Sequence, residues 1–275
     1  MEFINFLNLK RSNRIGLLFS GWIAGEKVAF YSPHDDDAVL GAGYLILATI
    51  KAGGSPHVFI FCQGDAGYST AEEKKGIVKR RKEEAVRAYG ILGVPEKNIH
   101  FFNIPDFSLM ARLDRKLPRG EGLFDKIVAA LRKERISRVV FSSGYFEHWD
   151  HTAVFYAGIY SSPQAQDPIL IDLGKPSLVK TYLTYSVWAD FEPLLRSRNG
   201  IKAELGILAT VKEEKRVLDA IRVFSSQNRI IQDIVAHRQK RKLEEGYLEL
   251  YKSIPLREPI DFKPYFRLLK KIITP

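Results

Sequence analysis

Four short runs rich in β-branched and aromatic residues, at positions 28–32, 58–62, 100–104 and 138–142, recur along the first half of the chain. Longer stretches of helical periodicity, at 38–51, 72–92 and 123–134, separate them. This alternation narrows the choice of fold more than any other feature. Runs that are apolar on nearly every residue cannot present a wet face, so they belong in a sheet covered on both sides by helices, as parallel sheets are. The expected fold is therefore α/β, a Rossmann-like, doubly wound and mostly parallel sheet sandwiched by helices.

The second half of the chain is less regular. A helix is expected over 151–160, a loop punctuated by Pro and Gly over 161–176, and a strand over the alternating stretch 178–188. Helical patterns follow at 211–224 and 227–250, and the tail from 255 to 275 carries four prolines, which predicts a segment wrapping the surface. The expected organisation is a single domain over residues 1–275. Its core spans about 27–230, its C-terminal part is irregular α+β, and 231–275 form a helix and a wrapping tail. A chain of 275 residues is long enough to bury one large core.

The chemistry concentrates at two strand-to-helix junctions. The first is Ser32-Pro33-His34-Asp35-Asp36-Asp37, directly after the first expected strand. In open α/β sheets ligands bind beyond the carboxyl ends of the strands, so these side chains stand where chemistry is expected. Three adjacent carboxylates repel one another unless a cation, a basic side chain or a helix N-terminus compensates. Two readings are open: the aspartates cap the next helix, or they help to hold a metal ion. The second junction, Glu147-His148-Trp149-Asp150-His151, follows the fourth expected strand. His148 and His151 are three residues apart and can point the same way from one helical turn, and Asp150 can orient an imidazole through its second nitrogen. If the two strands are neighbours, both motifs converge, which favours the metal. His57, His100 and His237 have no carboxylates beside them in sequence and read as ordinary structural histidines.

Together these residues resemble the PIG-L/LmbE-like N-acetylglucosamine deacetylases, whose signature is His-Pro-Asp-Asp-Glu after the first strand and His-x-Asp-His after a later one. The counterparts here are His34-Asp35-Asp36-Asp37-Ala38 and His148-Trp149-Asp150-His151. Further similarity lies in Gln63-Gly64-Asp65-Ala66-Gly67, in Arg81-x-x-Glu84 on the second helix, and in Ser226-Gln227, so that it spans roughly 27–230. Two positions depart from the pattern: Asp35 stands for the proline and Ala38 for the closing glutamate. The resemblance implies a zinc ion (Zn2+) held by His34, Asp37 and His151, with Asp36 as general base, His148 as oxyanion partner and Asp150 as its orienter. It also implies Arg81 at the substrate, with Asp65 bordering the site. The implied reaction is hydrolysis of an N-acetyl group from a GlcNAc-type sugar or glycoconjugate, releasing acetate and a free amine. The loss of the glutamate at Ala38 motivates an alternative, a non-catalytic sugar-binding or regulatory relative. A nucleotide-binding enzyme is disfavoured because no Gly-x-Gly-x-x-Gly follows the first strand.

The net charge of +10 raises the question of polyanionic partners. Basic residues are interleaved with glutamates over 72–87 and 212–222, as on solvated helix faces, and no nucleic-acid partner is expected. Cys62 is the single cysteine, which excludes an intramolecular disulfide and a cysteine-built zinc cage. No run approaches the length of a membrane span, and residues 1–30 do not read as a signal peptide, so a cytoplasmic location is expected. The sequence leaves the oligomeric state open, a homo-oligomer included.

Overall fold

The computed structural model describes residues 1–118, 120–145, 147–188, 202–257 and 259–273. Parts of the expected core and tail, positions 189–201 above all, lie outside the described residues.

One large sheet organises the chain. It is built from β1 (Glu2–Asn5), β2 (Lys10–Ser12), β3 (Lys27–Ser32), β4 (Ser55–Cys62) and β5 (Ile99–Ile104), and a separate small hairpin is made by β6 (Lys116–Leu117) and β7 (Gly120–Glu121). The sheet continues with β8 (Arg138–Ser142), β9 (Thr181–Tyr185), β10 (Leu205–Ala209), β11 (Lys242–Leu243) and β12 (Gly246–Ser253). Its order is β2-β1-β10-β12-β9-β8-β3-β4-β5, with β11 beside β12. The four expected apolar runs and β9 form the parallel half, β9-β8-β3-β4-β5. The other half is antiparallel, so the sheet is mixed where a mostly parallel one was expected.

Alternation along β3 shows why both faces need cover. Val28 and Phe30 enter one apolar core with residues of α1 (Asp37–Lys51), α2 (Ile77–Leu92) and α5 (Val211–Ile221), while Ala29 and Tyr31 enter a second core with α3 (Leu123–Glu134) and α4 (Trp149–Tyr156). The helix expected over 227–250 stops early: α6 (Asn228–Arg238) is followed by the strands β11 and β12. In β12 Tyr247, Glu249 and Tyr251 are buried while Leu248 and Leu250 are only half-buried, the two-residue period of a strand. The good helix formers Leu, Glu and Lys in that stretch are overridden by pairing with β10. The tail also differs from expectation: Ile254 and Leu256 pack against the core, but residues 263–273 form α7 (Lys263–Ile273), with no buried residue.

Helix α1 is broken at Ala42, whose φ of −136° and ψ of 21° are not helical. A break exposes carbonyls at one half's end and N–H groups at the other's start, and both must find partners. Arg238 donates to the Leu40 carbonyl at 2.9 Å, and the Glu249 carboxylate accepts the Tyr44 and Leu45 N–H groups at 3.0 and 3.2 Å. Burial pushes Glu249 up to about 7, with Tyr251, Arg238 and Arg241 pulling the other way. A carboxyl that binds its proton more tightly when folded stabilises fully below its unfolded pKa, near 4.5, and loses that contribution as pH rises through about 7. Glu249→Gln should therefore flatten the fall in unfolding free energy between these values, by about 3 kcal/mol at most. Urea titrations across that range would show it, and equal slopes in both proteins would refute it.

Candidate active site

The chain lays down β3, β4 and β5 outward in one direction, then returns to the other side of β3 with β8. This reversal opens a crevice at the carboxyl ends of β3 and β8, the place where open α/β sheets bind ligands. The two motifs leave these two strands.

After β3, the aspartates do not act as simple helix caps. Asp36 occupies the N-cap position of α1 without a side-chain capping bond, and Ser32 Oγ accepts the Ala38 N–H at 3.0 Å instead. Asp37 turns back, its Oδ2 accepting the His34 N–H at 2.7 Å and lying 3.2 Å from His34 Nδ1. After β8, α4 brings His151 Nε2 to 3.1 Å from the same Asp37 oxygen. His34, Asp37 and His151 thus offer three ligand atoms within 4.8 Å of one another. His151 Nε2 is buried and, although 3.1 Å from Asp37 Oδ2, makes no aligned hydrogen bond there, a poor arrangement for a buried polar atom that a cation between the two groups would relieve. Two imidazoles and one carboxylate suit zinc in a site with an open position.

The electrostatics agree with this geometry. Burial opposes charge on His34, but Asp150 and Asp37 outweigh it and hold its pKa up at about 10. Burial likewise opposes charge on His151, where Asp37 and Glu147 prevail and bring it to about 9. Asp37, despite its burial, is kept well below the carboxylate range, chiefly by His151. The cluster demands positive charge, which protons or a divalent cation can supply. Asp36 behaves in the opposite way: burial first, then the neighbouring Asp35 charge, push it up to about 7.

Asp35 is buried, and Arg81 Nε lies 2.9 and 3.1 Å from its two oxygens, with a further contact from Nη2. The charge partner of Arg81 is therefore on the first motif and not on its own helix. Arg81 Nη2 also lies 3.7 Å from Asp36. The glycine-rich turn folds tightly over this guanidinium. Gly64 has a φ of +76°, and a Cβ on Gly67 would stand 2.1 Å from Arg81 Nη1. Glu84 accepts Ser226 N–H and Oγ–H, and Gln227 donates to the Gly67 carbonyl at 2.9 Å. The dispersed sequence similarities thus meet around one cleft.

His148 and Asp150 join the cluster in an arrangement the sequence did not show. His148 Nδ1 accepts the Asp150 N–H at 3.2 Å, which leaves Nε2 to carry the proton of a neutral ring. Burial and then the His34 charge lower its pKa. The Asp150 carboxylate lies 3.4 Å from His34 Nε2 and 3.5 Å from His148 Nδ1, and accepts the Phe107 N–H at 2.8 Å. Asp65 does not line the cleft: it accepts the Asp106 N–H at 2.8 Å, while Asp106 lines it and holds the Gly64 and Ala66 N–H groups. Trp149 is exposed outside the cleft, and the tryptophan that lines it is Trp188.

Glu147 is the residue of the second motif given no role from sequence. Its Oε2 meets His151 Nδ1 at 2.6 Å, and its Oε1 accepts the Ser186 hydroxyl and the Val187 and Trp188 N–H groups. The four-residue spacing to His151 was the available signal. The cleft has a volume of about 160 Å³, and Leu40, Phe107, Trp188, Ile230, Ile231 and Ile234 give it apolar walls.

Residues 29–160, which contain both motifs, match the family model described as PIG-L: GlcNAc-PI de-N-acetylase. Just under half of the chain thus resembles a PIG-L family domain. The diacetylchitobiose deacetylase of Pyrococcus horikoshii, in complex with an inhibitor, has a similar fold at a TM-score of 0.66 and 22% identity, over 84% of each chain. A deacetylase of teicoplanin biosynthesis is similar at 0.56 and 18%, over 83% of this chain and 98% of its own. The 4-carboxy-2-hydroxymuconate hydratase of Pseudomonas putida is similar at 0.60 and 17%, over 86% and 99%. No curated protein sequence matches. At these identities the structural neighbours speak for the fold alone, and one fold can carry several chemistries.

Proposed function

We propose that the protein is a zinc-dependent N-deacetylase that removes the acetyl group of a GlcNAc-type sugar or glycoconjugate, releasing acetate and a free amine. One juxtaposition carries this reading: the donor set of His34, Asp37 and His151, with the buried carboxyl of Asp36 held near neutrality beside it. Zinc bound there lowers the pKa of water to about 7 and polarises a carbonyl. Asp36 has the affinity of a general base working near neutral pH: it takes the proton of the attacking water and delivers it to the departing nitrogen. His148, with its proton on Nε2, donates to the oxygen that gathers negative charge, an interaction of the kind worth about 2.7–4 kcal/mol. Asp150 positions both His34 and His148, and Glu147 fixes the ring of His151.

Arg81 lines the cleft and serves as the substrate contact while it holds Asp35; Asp65 acts through Asp106. The names of the neighbours support an acetylated sugar or glycoconjugate as the substrate class. The strand order β5-β4-β3-β8-β9 supports the Rossmann-like reading of the parallel half. No described helix is long and apolar enough to cross a membrane, and the buried thiol of Cys62 suits a reducing compartment, so we place the reaction in the cytoplasm.

Metal analysis together with acetate release from a panel of N-acetyl sugars tests the proposal. The expected result is about one zinc per chain and turnover on at least one sugar. A folded protein that binds no divalent metal, or glycan binding without turnover, would overturn it, the latter in favour of a sugar-binding relative. Glu147→Gln should weaken zinc binding by about 10–100-fold, read by competition with a chromogenic chelator. The carboxamide keeps an acceptor for the 186–188 segment but cannot hold His151 as a carboxylate does. Unchanged affinity would remove Glu147 from the site.

A further inference from the structure

Helix α7 buries none of its side chains. Phe266, Leu268, Leu269, Ile272 and Ile273 are 47–78% exposed, and Phe262, just before the helix, is 57% exposed. Contiguous apolar surface of this kind marks an interaction site on a folded protein. At about 100° per residue the apolar side chains of α7 fill an arc of roughly 160° and the cations Lys263, Arg267, Lys270 and Lys271 fill an opposite arc of roughly 100°. No acidic residue interrupts the helix.

We propose that α7 is a membrane-surface anchor that lies in the plane of an anionic lipid bilayer, its apolar arc in the acyl boundary and its cations among the headgroups. Two observations favour lipid over a protein groove or a second copy of the chain, and a third sets how the helix lies. The apolar arc is far wider than the narrow seam by which two helices pair. The polar face carries positive charge alone, matching a surface of one sign, and two copies at a net charge of +10 each repel. Eleven residues span about 16 Å, too short to cross a hydrocarbon core of about 30 Å, so the helix lies on the surface. The chain before it is fastened to the domain: Ile254 and Leu256 pack against the core and Arg257 pairs with Asp167. Binding through α7 therefore brings the whole domain to the surface, whatever its reaction.

The test uses the full chain and sedimentation with vesicles of phosphatidylcholine alone or of equal parts phosphatidylcholine and phosphatidylglycerol. Binding to the anionic vesicles should be at least about tenfold tighter than to the neutral ones and should weaken as salt is raised. Phe266→Asp with Leu269→Asp should reduce it at least about tenfold, since burying two carboxylates in the interface opposes insertion. Lys270→Glu with Lys271→Glu should abolish the preference for anionic lipid. Both variants should unfold at the wild-type temperature, because α7 contributes nothing to the core, and this shows that any loss is not misfolding. Failure of the wild type to bind anionic vesicles overturns the proposal. So does unchanged binding by the Phe266/Leu269 variant, or a wild-type dimer in sedimentation velocity that this variant dissociates while vesicles are ignored.

Discussion

Replacing Asp36 by Asn should lower acetate release about 10²–10⁴-fold, the range typical for a lost general base, while metal content and unfolding temperature stay near wild type. The side chain is buried and pushed up to about 7 by desolvation and by Asp35, so the carboxylate is already an unfavourable guest in the fold. Asparagine has the same shape and removes one of three crowded negative charges, and the fold should not suffer. What it cannot do is accept a proton from water. Zinc content by atomic absorption, a thermal melt and an acetate assay on the same preparation separate these effects. Activity within about tenfold of wild type would mean that the proton goes elsewhere.

The second large effect concerns stability. Arg81→Leu should cost about 3–5 kcal/mol, because it strands Asp35 as a buried, unpartnered charge. Adding Asp35→Ala in the same chain should recover most of that loss, since the penalty lies in the orphaned carboxylate and not in the missing arginine. Urea unfolding of both single variants and the double variant closes the cycle. A single-variant cost below about 1 kcal/mol, the range of an exposed pair, would show that Asp35 finds another partner or a proton.

The Asp35–Arg81 pair also shows where reading the sequence stops. The parallel half of the sheet was legible because continuous apolar runs admit few other environments, and the meeting of His34, Asp37 and His151 was expected from the family resemblance, with both motifs at strand ends. Arg81 was visible as a residue type, but its partner lies 46 positions away, beyond the reach of any local spacing. The antiparallel strands were missed for a related reason. β12 is composed of residues that favour helices, and only its pairing with β10 and β9 makes it a strand. Asp106, not Asp65, borders the cleft, because which of them does so depends on how two loops fold together. Asp150 was expected as the orienter of His148, yet the group that donates to Nδ1 is its backbone N–H, on which side-chain patterns are silent.

The ligands of the candidate metal centre leave two adjacent parallel strands, whereas the walls of the cleft come from the loop at Phe107, from Trp188 and from α6. Each wall is anchored by its own bonds: Phe107 by Asp150, Trp188 by Glu147, and α6 by Arg238 through Glu214 and the Leu40 carbonyl. Sequence drift in one wall therefore leaves the other two and the reactive centre in place. A lineage built this way can try new substrates one wall at a time without passing through an ancestor that has lost its chemistry.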